Sequence, residues 1–345
     1  MKRKVLLFSI AFASCMTGLY AENGIDKDKE SNRTEKTTGK NAPQKSRLTL
    51  GGYGEAVMTR NFYSDNINRY SKAEDYKDAK SHGQFDLPHV VIMIGYDFGK
   101  GWTMGSEIEF EHGGTESAVE MEQEEVGEWE KEIERGGEVA LEQFWIQKSF
   151  CPEFNIRAGH IIVPVGYTNA HHLPNEFFTV YRPEGENTIM PCTWHETGIS
   201  IWGRTGDWRY EAMLIPALNS MHFSKDQWIK NGSGSAFEFT PANNYAVAMR
   251  IDNYSVPGLR MGLSAYYGHS FNNTLQADQG KYKDTKGAVS IAAFDFDYND
   301  HNWVVRGNFD YGHLGDADLI STHNKSQDNS TQSPYCLLYT SPSPR

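Results

Sequence analysis

Residues 294–312 read FDFDYNDHNWVVRGNFDYG, two alternating runs joined by a polar corner. In an extended chain successive side chains point to opposite faces, so Phe294, Phe296 and Tyr298 share one face while Asp295 and Asp297 share the other. After Asn299-Asp300-His301 the alternation resumes, with Trp303, Val305, Gly307, Phe309 and Tyr311 set against Val304, Arg306, Asn308 and Asp310. Charge keeps to one side of both strands. A sandwich with one wet face produces this pattern, and so does a transmembrane barrel with lipid outside and water inside.

Working outward, the same two faces recur. Met104, Ile108 and Phe110 oppose Glu107, Glu109 and Glu111; Trp208, Tyr210, Ala212 and Leu214 oppose Arg209 and Glu211; Tyr245, Val247, Met249 and Ile251 oppose Arg250 and Asp252. Eleven strands are predicted, at 48–62, 88–98, 102–112, 138–150, 154–164, 195–204, 207–218, 244–254, 258–269, 286–298 and 302–312. In 138–150 Val139 and Leu141 are out of step with Phe144 and Ile146, which predicts a bulge or a segment covered by protein. The connections decide between the two architectures. Tight turns at 99–101, 151–153, 205–206, 255–257 and 299–301 interleave with long polar connections at about 63–85, 113–137, 165–194, 219–243 and 270–285. Sorting of loop lengths by end is the habit of outer-membrane barrels, with short periplasmic turns and longer outer loops. Phe98, Trp102, Phe150, Phe154, Trp208, Tyr254, Tyr298 and Trp303 flank the tight turns, as an interfacial aromatic girdle does. A charge on the lipid side costs about 2–4 kcal/mol at the midplane, which explains its confinement to one face.

The ends fit export. Met1-Lys2-Arg3-Lys4 is followed by an apolar core from Val5 to Ala13, too short to span a bilayer, and by a small residue at Ala21, so residues 1–21 are predicted to be a signal peptide. Phe12-Ala13-Ser14-Cys15 loosely resembles a lipoprotein processing site, with ordinary cleavage near Ala21 the plainer reading. Residues 22–46 are charged and almost free of apolar side chains, a disordered leader. The last ten residues, CLLYTSPSPR at 336–345, resemble the in-frame translation of a transposase adapter used in sequencing libraries. They are therefore expected to be an artefact that follows a gene interrupted near Tyr335, leaving 47–335 as a partial barrel with about 11 strands.

The net charge of −12 becomes −15 without Lys2, Arg3 and Lys4 of the signal peptide, and so acidic a chain is a poor partner for nucleic acid. Only Cys151 and Cys192 of the four cysteines lie between the two suspect ends, so no disulfide framework is expected. Their positions, one at a tight turn and one in a long connection, argue against a bond between them. Mean hydropathy of −0.60 excludes a helical membrane bundle and leaves a barrel open, since half of each strand is polar.

GGYGE (51–55), SEIEFEHGG (106–114), GGEVALEQ (136–143), RAGHIIVPVG (157–166), YRPEGENTIMPCTWHETG (181–198) and the opening stretch resemble outer-membrane porins called phosphate-selective porins O and P. The likeness runs over roughly 47–315 and is most specific in 157–198. It implies a barrel of about sixteen or more strands in the outer membrane of a Gram-negative bacterium, a homotrimer when full length, and passive diffusion of small hydrophilic solutes or ions, with anions such as phosphate among them. It also implies that 165–194 folds inward to narrow the channel.

Candidate pore-lining residues are Glu55, Glu107, Glu109, Glu111, Arg157, Arg182, Glu184, Glu186, Arg209, Arg250, Asp252, Arg306 and Asp310. With Arg260 they set a basic ladder against carboxylates, a transverse field that orients dipolar solutes; charges that merely pair and keep the interior wet are the competing reading. The family's clustered lysines are missing from 165–194, which puts phosphate selectivity in doubt. His171-His172 lack a third ligand at useful spacing, so no metal or cofactor is expected. The acidic run 116–135 reads as a solvated outer loop, with a short helix or a divalent-cation trap as alternatives. No G-x-S-x-G or comparable nucleophile motif supports a barrel enzyme. A surface adhesin that uses its long loops is the rival to a porin, and outer-membrane lipid is the surrounding medium in either case.

Overall fold

The computed structural model describes residues 47–61, 73–78, 82–112, 118–125, 128–134, 138–173, 176, 186, 189–224, 228–233, 240–271, 273, 286–326 and 337–343. The predicted signal peptide and leader, and Arg182 and Glu184, lie outside these residues. The described chain is almost entirely antiparallel β and falls into two compact units, one of 48–95 with 106–141, the other of 96–105 with the chain from Glu142 onward.

The first unit contains β1 (Leu48–Gly54), β2 (Val57–Asn61), β3 (His82–Asp86), most of β4 (Val90–Gly99) and β5 (Trp102–Glu111), β6 (Ala118–Glu125) and β7 (Glu128–Glu134). The single strand expected over 48–62 is broken at Glu55-Ala56, where the chain leaves one pairing for another: Glu55 N–H donates to His89 O at 3.0 Å, and β2 then pairs with β3, Val57 opposite Asp86 and Asn61 opposite His82. The described residues of the acidic run are strand and not helix. They form the β6–β7 hairpin, with Glu120 opposite Glu132 and Glu122 opposite Glu130. Its glutamates alternate with Val119, Met121, Trp129 and Ile133, a period of two that suits a strand, although like charges in register oppose the pairing.

The second unit holds the tight turn between β4 and β5, most of β8 (Glu138–Cys151), then β9 (Phe154–Ile162), β10 (His195–Thr205), β11 (Trp208–Pro216), β12 (Tyr245–Val256), β13 (Leu259–His269), β14 (Ala288–Asp300), β15 (Trp303–Leu314) and β16 (Leu337–Ser343). From β8 onward each strand pairs antiparallel with the next. The turns fall where the sequence put them. His301 and Asn302 both have positive φ, 51° and 62°, the pattern of a type I′ hairpin, whose twist matches that of its strands. The eleven predicted strands, the first of them only over Leu48–Gly54, appear in one hydrogen-bonded order, β1-β4-β5-β8 through β15, and Leu337–Ser343 adds a twelfth. That last segment lies along β15, Leu337 opposite Gly312 and Ser343 opposite Arg306. Among the described residues β1 and the final strand are not paired, so the sheet is not closed as a barrel. No described helix is long and apolar enough to cross a membrane.

Burial along β10 to β15 is inverted relative to a water-soluble sheet. Met249 is 54% exposed and Leu263 55%, whereas Arg250 between such neighbours is 3% exposed and Asp295 is fully buried. Phe144, Ile199, Leu214, Tyr245, Tyr267 and Phe309 belong to the same exposed apolar face. In β8, Glu142 and Gln143 are both buried between exposed Leu141 and Phe144, which is where the expected change of phase falls. Tyr254 departs from the expected girdle: it lines the polar recess described below.

The buried face has two zones. Toward the tight turns it is charged; toward the long connections Met213, Ile215, Ala248, Tyr266, Ile291 and Leu314 form a hydrophobic core. Folded-back connections cover that core with Trp194, Phe223, Trp228, Phe271 and Ile320, the last from the helix Ala317–Ser326. The Trp228 ring lies against Gly312, where any Cβ would collide with it.

Candidate functional site

The charged zone arises from strand register. Arg209 sits opposite Asp252, Glu211 opposite Arg250, Arg260 opposite Asp297 and Asp297 opposite Arg306, so sign alternates from strand to strand. Arg209 Nη2 donates to Glu211 Oε2 at 2.6 Å, and Ser200 Oγ donates to the other carboxylate oxygen at 2.6 Å. Arg250 is the hub. Its Nε donates to both oxygens of Asp252 at 3.0 and 3.1 Å, its Nη2 to Asp295 Oδ1 at 2.9 Å, and its Nη1 to Gly166 O at 3.1 Å. Arg260 Nη1 reaches Asp252 and Asp295 at 3.0 and 2.6 Å. Gly262 makes this convergence possible: a Cβ there would collide with Arg250 Nη2 and lie 2.8 Å from both Arg260 and Asp295.

Over this zone folds the segment that follows β9. Gly166, at φ 84°, turns the chain and donates its N–H to Ser264 Oγ at 3.0 Å. Tyr167 OH donates to Asp297 Oδ2 at 3.3 Å, and Arg306 Nη1 donates to Glu176 O. The segment therefore touches β12, β13, β14 and β15 in turn. Burial, reinforced by the Asp297 carboxylate, pushes the Tyr167 phenol up, which keeps it a donor. The segment is locked on itself through Asn169, which is wholly buried. Its amide donates to Val165 O and Pro191 O, both at 2.9 Å, and its oxygen accepts from Trp194 N at 2.9 Å.

Between segment and sheet lies a small recess open to solvent, walled by Arg157, Arg209, Arg250 and Arg260 with Glu211 and Asp252. Arg157 lies over the Trp145 ring at 4.5 Å and donates to Gln147 Oε1 at 3.0 Å.

Of the sequence candidates, the structure gathers Arg157, Arg209, Arg250 and Asp252 at this recess, and Arg306 beside it through Asp297 at 2.8 Å. Asp310 is buried, accepting from Asn308 Nδ2 at 2.5 Å. Glu186 is buried inside the inward segment, where its oxygens accept from Tyr167 N and Thr168 N at 2.5 Å each. Glu55, Glu107, Glu109 and Glu111 belong to the first unit. His171 stacks on Tyr167 at 4.9 Å. Asp295, Asn169, Tyr167 and Gly262 were not among the candidates. Alternation placed Asp295 on the charged face, but nothing local marked it as the partner of two arginines.

Glu186 gives a pH prediction. Burial raises its pKa, the Asp295 charge adds to the rise, and the Thr168 and Tyr167 donors oppose it. A carboxyl whose folded pKa lies above its unfolded value contributes stability at low pH that is lost as pH rises through the folded pKa. Amide exchange at 167–170 is therefore expected to quicken as pH rises, beyond the intrinsic base catalysis, and Glu186→Gln to flatten that excess. An unchanged pH profile in the variant refutes it.

No family model matches the chain. An uncharacterized protein of Aquifex aeolicus (strain VF5) is 27% identical over 279 residues, covering 80% of this chain and 55% of the relative. The chain thus spans about half the length of that curated relative.

Proposed function

We propose that the intact protein is an outer-membrane porin of a Gram-negative bacterium, through which small hydrophilic solutes or ions diffuse passively. The observation that carries this reading is the inverted burial: a continuous face of exposed Ile, Leu, Val, Met and aromatic side chains on strands whose other face buries Arg and Asp. An apolar face of that extent needs lipid or protein against it. In this reading the strands belong to a transmembrane barrel that closes in the complete protein, assembled as a trimer, and the segment held by Arg250, Ser264 and Asp297 is its constriction. The recess opposes four arginines to two carboxylates, which favours anionic or dipolar solutes. Because Arg209, Arg250 and Arg260 already donate to carboxylates, the expected preference for anions such as phosphate is mild.

The test is conductance of the intact protein refolded into planar bilayers under a potassium chloride gradient. Stepwise ohmic currents with a small reversal potential toward the chloride side support the reading. Inserted protein without conductance overturns it; retained binding of a surface ligand in that case favours an adhesin.

A further inference from the structure

Four side chains of the first unit converge, Glu109 buried and Glu55, His89 and Glu111 partly exposed. Glu109 and Glu111 stand two residues apart on β5 and so share a face. His89 immediately precedes β4, and the Glu55 N–H to His89 O bond at 3.0 Å fixes Glu55 beside it. His89 Nδ1 lies 2.5 Å from Glu109 Oε1, and His89 Nε2 lies 3.7 Å from Glu55 Oε1, an oxygen that is buried without a hydrogen-bond partner. Donor atoms of His89, Glu109 and Glu111 all fall within 4.8 Å of one another. The Glu109 side chain is 3% exposed and that of His89 19%.

We propose that His89, Glu109 and Glu111 form a binding site for a divalent transition-metal ion of the Zn²⁺ type, with Glu55 orienting the imidazole. Carboxylates brought together away from water repel one another and are stabilised by a shared cation. An imidazole nitrogen in the set favours a borderline-soft ion over Mg²⁺ or Ca²⁺, which take oxygen ligands. Zinc bonds of about 2.0–2.2 Å in a tetrahedron hold neighbouring donors about 3.3 Å apart. The His89–Glu109 contact therefore opens slightly as the ion replaces the proton between them, and the Glu111 oxygen closes in. Metal on Nδ1 leaves Nε2–H to donate to Glu55, the carboxylate–histidine–metal arrangement that fixes tautomer and ring angle. A water completes the coordination. Binding is read without conductance, so this site stands or falls independently of the porin reading.

The experiment is calorimetric titration of Zn²⁺ into the refolded full chain in detergent. One ion per chain is expected, not displaced by a tenfold excess of Mg²⁺. His89→Ala and Glu109→Gln are expected to abolish binding, Glu55→Gln to weaken it by about 10-fold or more, and His160→Ala to leave it unchanged. The last variant removes one member of a close histidine pair outside the site, His160 and His195, whose ring nitrogens lie 2.5 Å apart. No binding, full displacement by Mg²⁺, or loss on His160→Ala with retention on His89→Ala overturns the proposal. If His89→Ala and Glu109→Gln do not refold, the wild-type protein loaded with Cu²⁺ decides by electron spin-echo modulation: one coordinated imidazole supports the site, and none or two refutes it.

Discussion

Replacing Arg250 by methionine is expected to destabilise the protein by about 3–5 kcal/mol, the usual result of removing one partner from a buried ion pair. Methionine roughly fills the space of the side-chain stem but donates nothing. Asp252 and Asp295 then share Arg260 Nη1, with Arg209 Nη1 3.6 Å from Asp252, and Gly166 O loses its donor. Because both carboxylates keep one donor, the loss should fall toward the lower end of that range. Urea unfolding in detergent micelles measures it, and adding Asp295→Asn to Arg250→Met should recover part of the loss by removing the stranded charge. A double variant no more stable than the single one refutes the pairing. In bilayers the same substitution should shift the reversal potential toward cations, since a positive wall charge is gone while Asp252 remains.

Asn169→Ala is expected to cost about 3–5 kcal/mol, with the effect concentrated in the inward segment. It strands Val165 O, Pro191 O and Trp194 N, three buried backbone groups whose loss of a partner costs about 1–3 kcal/mol each before relaxation. Asn169→Asp should be worse, because a carboxylate then faces two carbonyl oxygens. Hydrogen exchange at 163–173 and 189–194 should rise while the β12–β14 strands keep their protection, and single-channel current should increase as the segment leaves the charged face. Equal loss of protection in segment and sheet indicates global unfolding instead and refutes a local lock.

The Gly262 position shows why the contacts of these two residues were hard to read. In sequence it is one glycine among 32. Only the pairing of β12 with β13 and of β13 with β14 shows that three charged side chains need the space its missing Cβ leaves. Asn169 is equally silent, since its partners lie up to 25 residues away on a segment with no periodicity. The break at Glu55-Ala56 and the β6–β7 hairpin were missed for a related reason: both depend on which strand the chain pairs with next.

What the sequence determined by itself was the run of strands in the main sheet up to β15, their tight turns and the side of each strand that carries charge. Alternation is a property of two consecutive residues, and a type I′ corner of about four, so neither needs a distant partner. Tertiary structure decided which charges meet, that the face opposite the apolar one is itself split into a charged and an apolar zone, and that the segment after β9 lies on the charged zone. These depend on contacts between residues far apart in the chain, 45 residues between Arg250 and Asp295 and 130 between Tyr167 and Asp297. A one-residue slip would leave the composition of every strand unchanged while separating every pair.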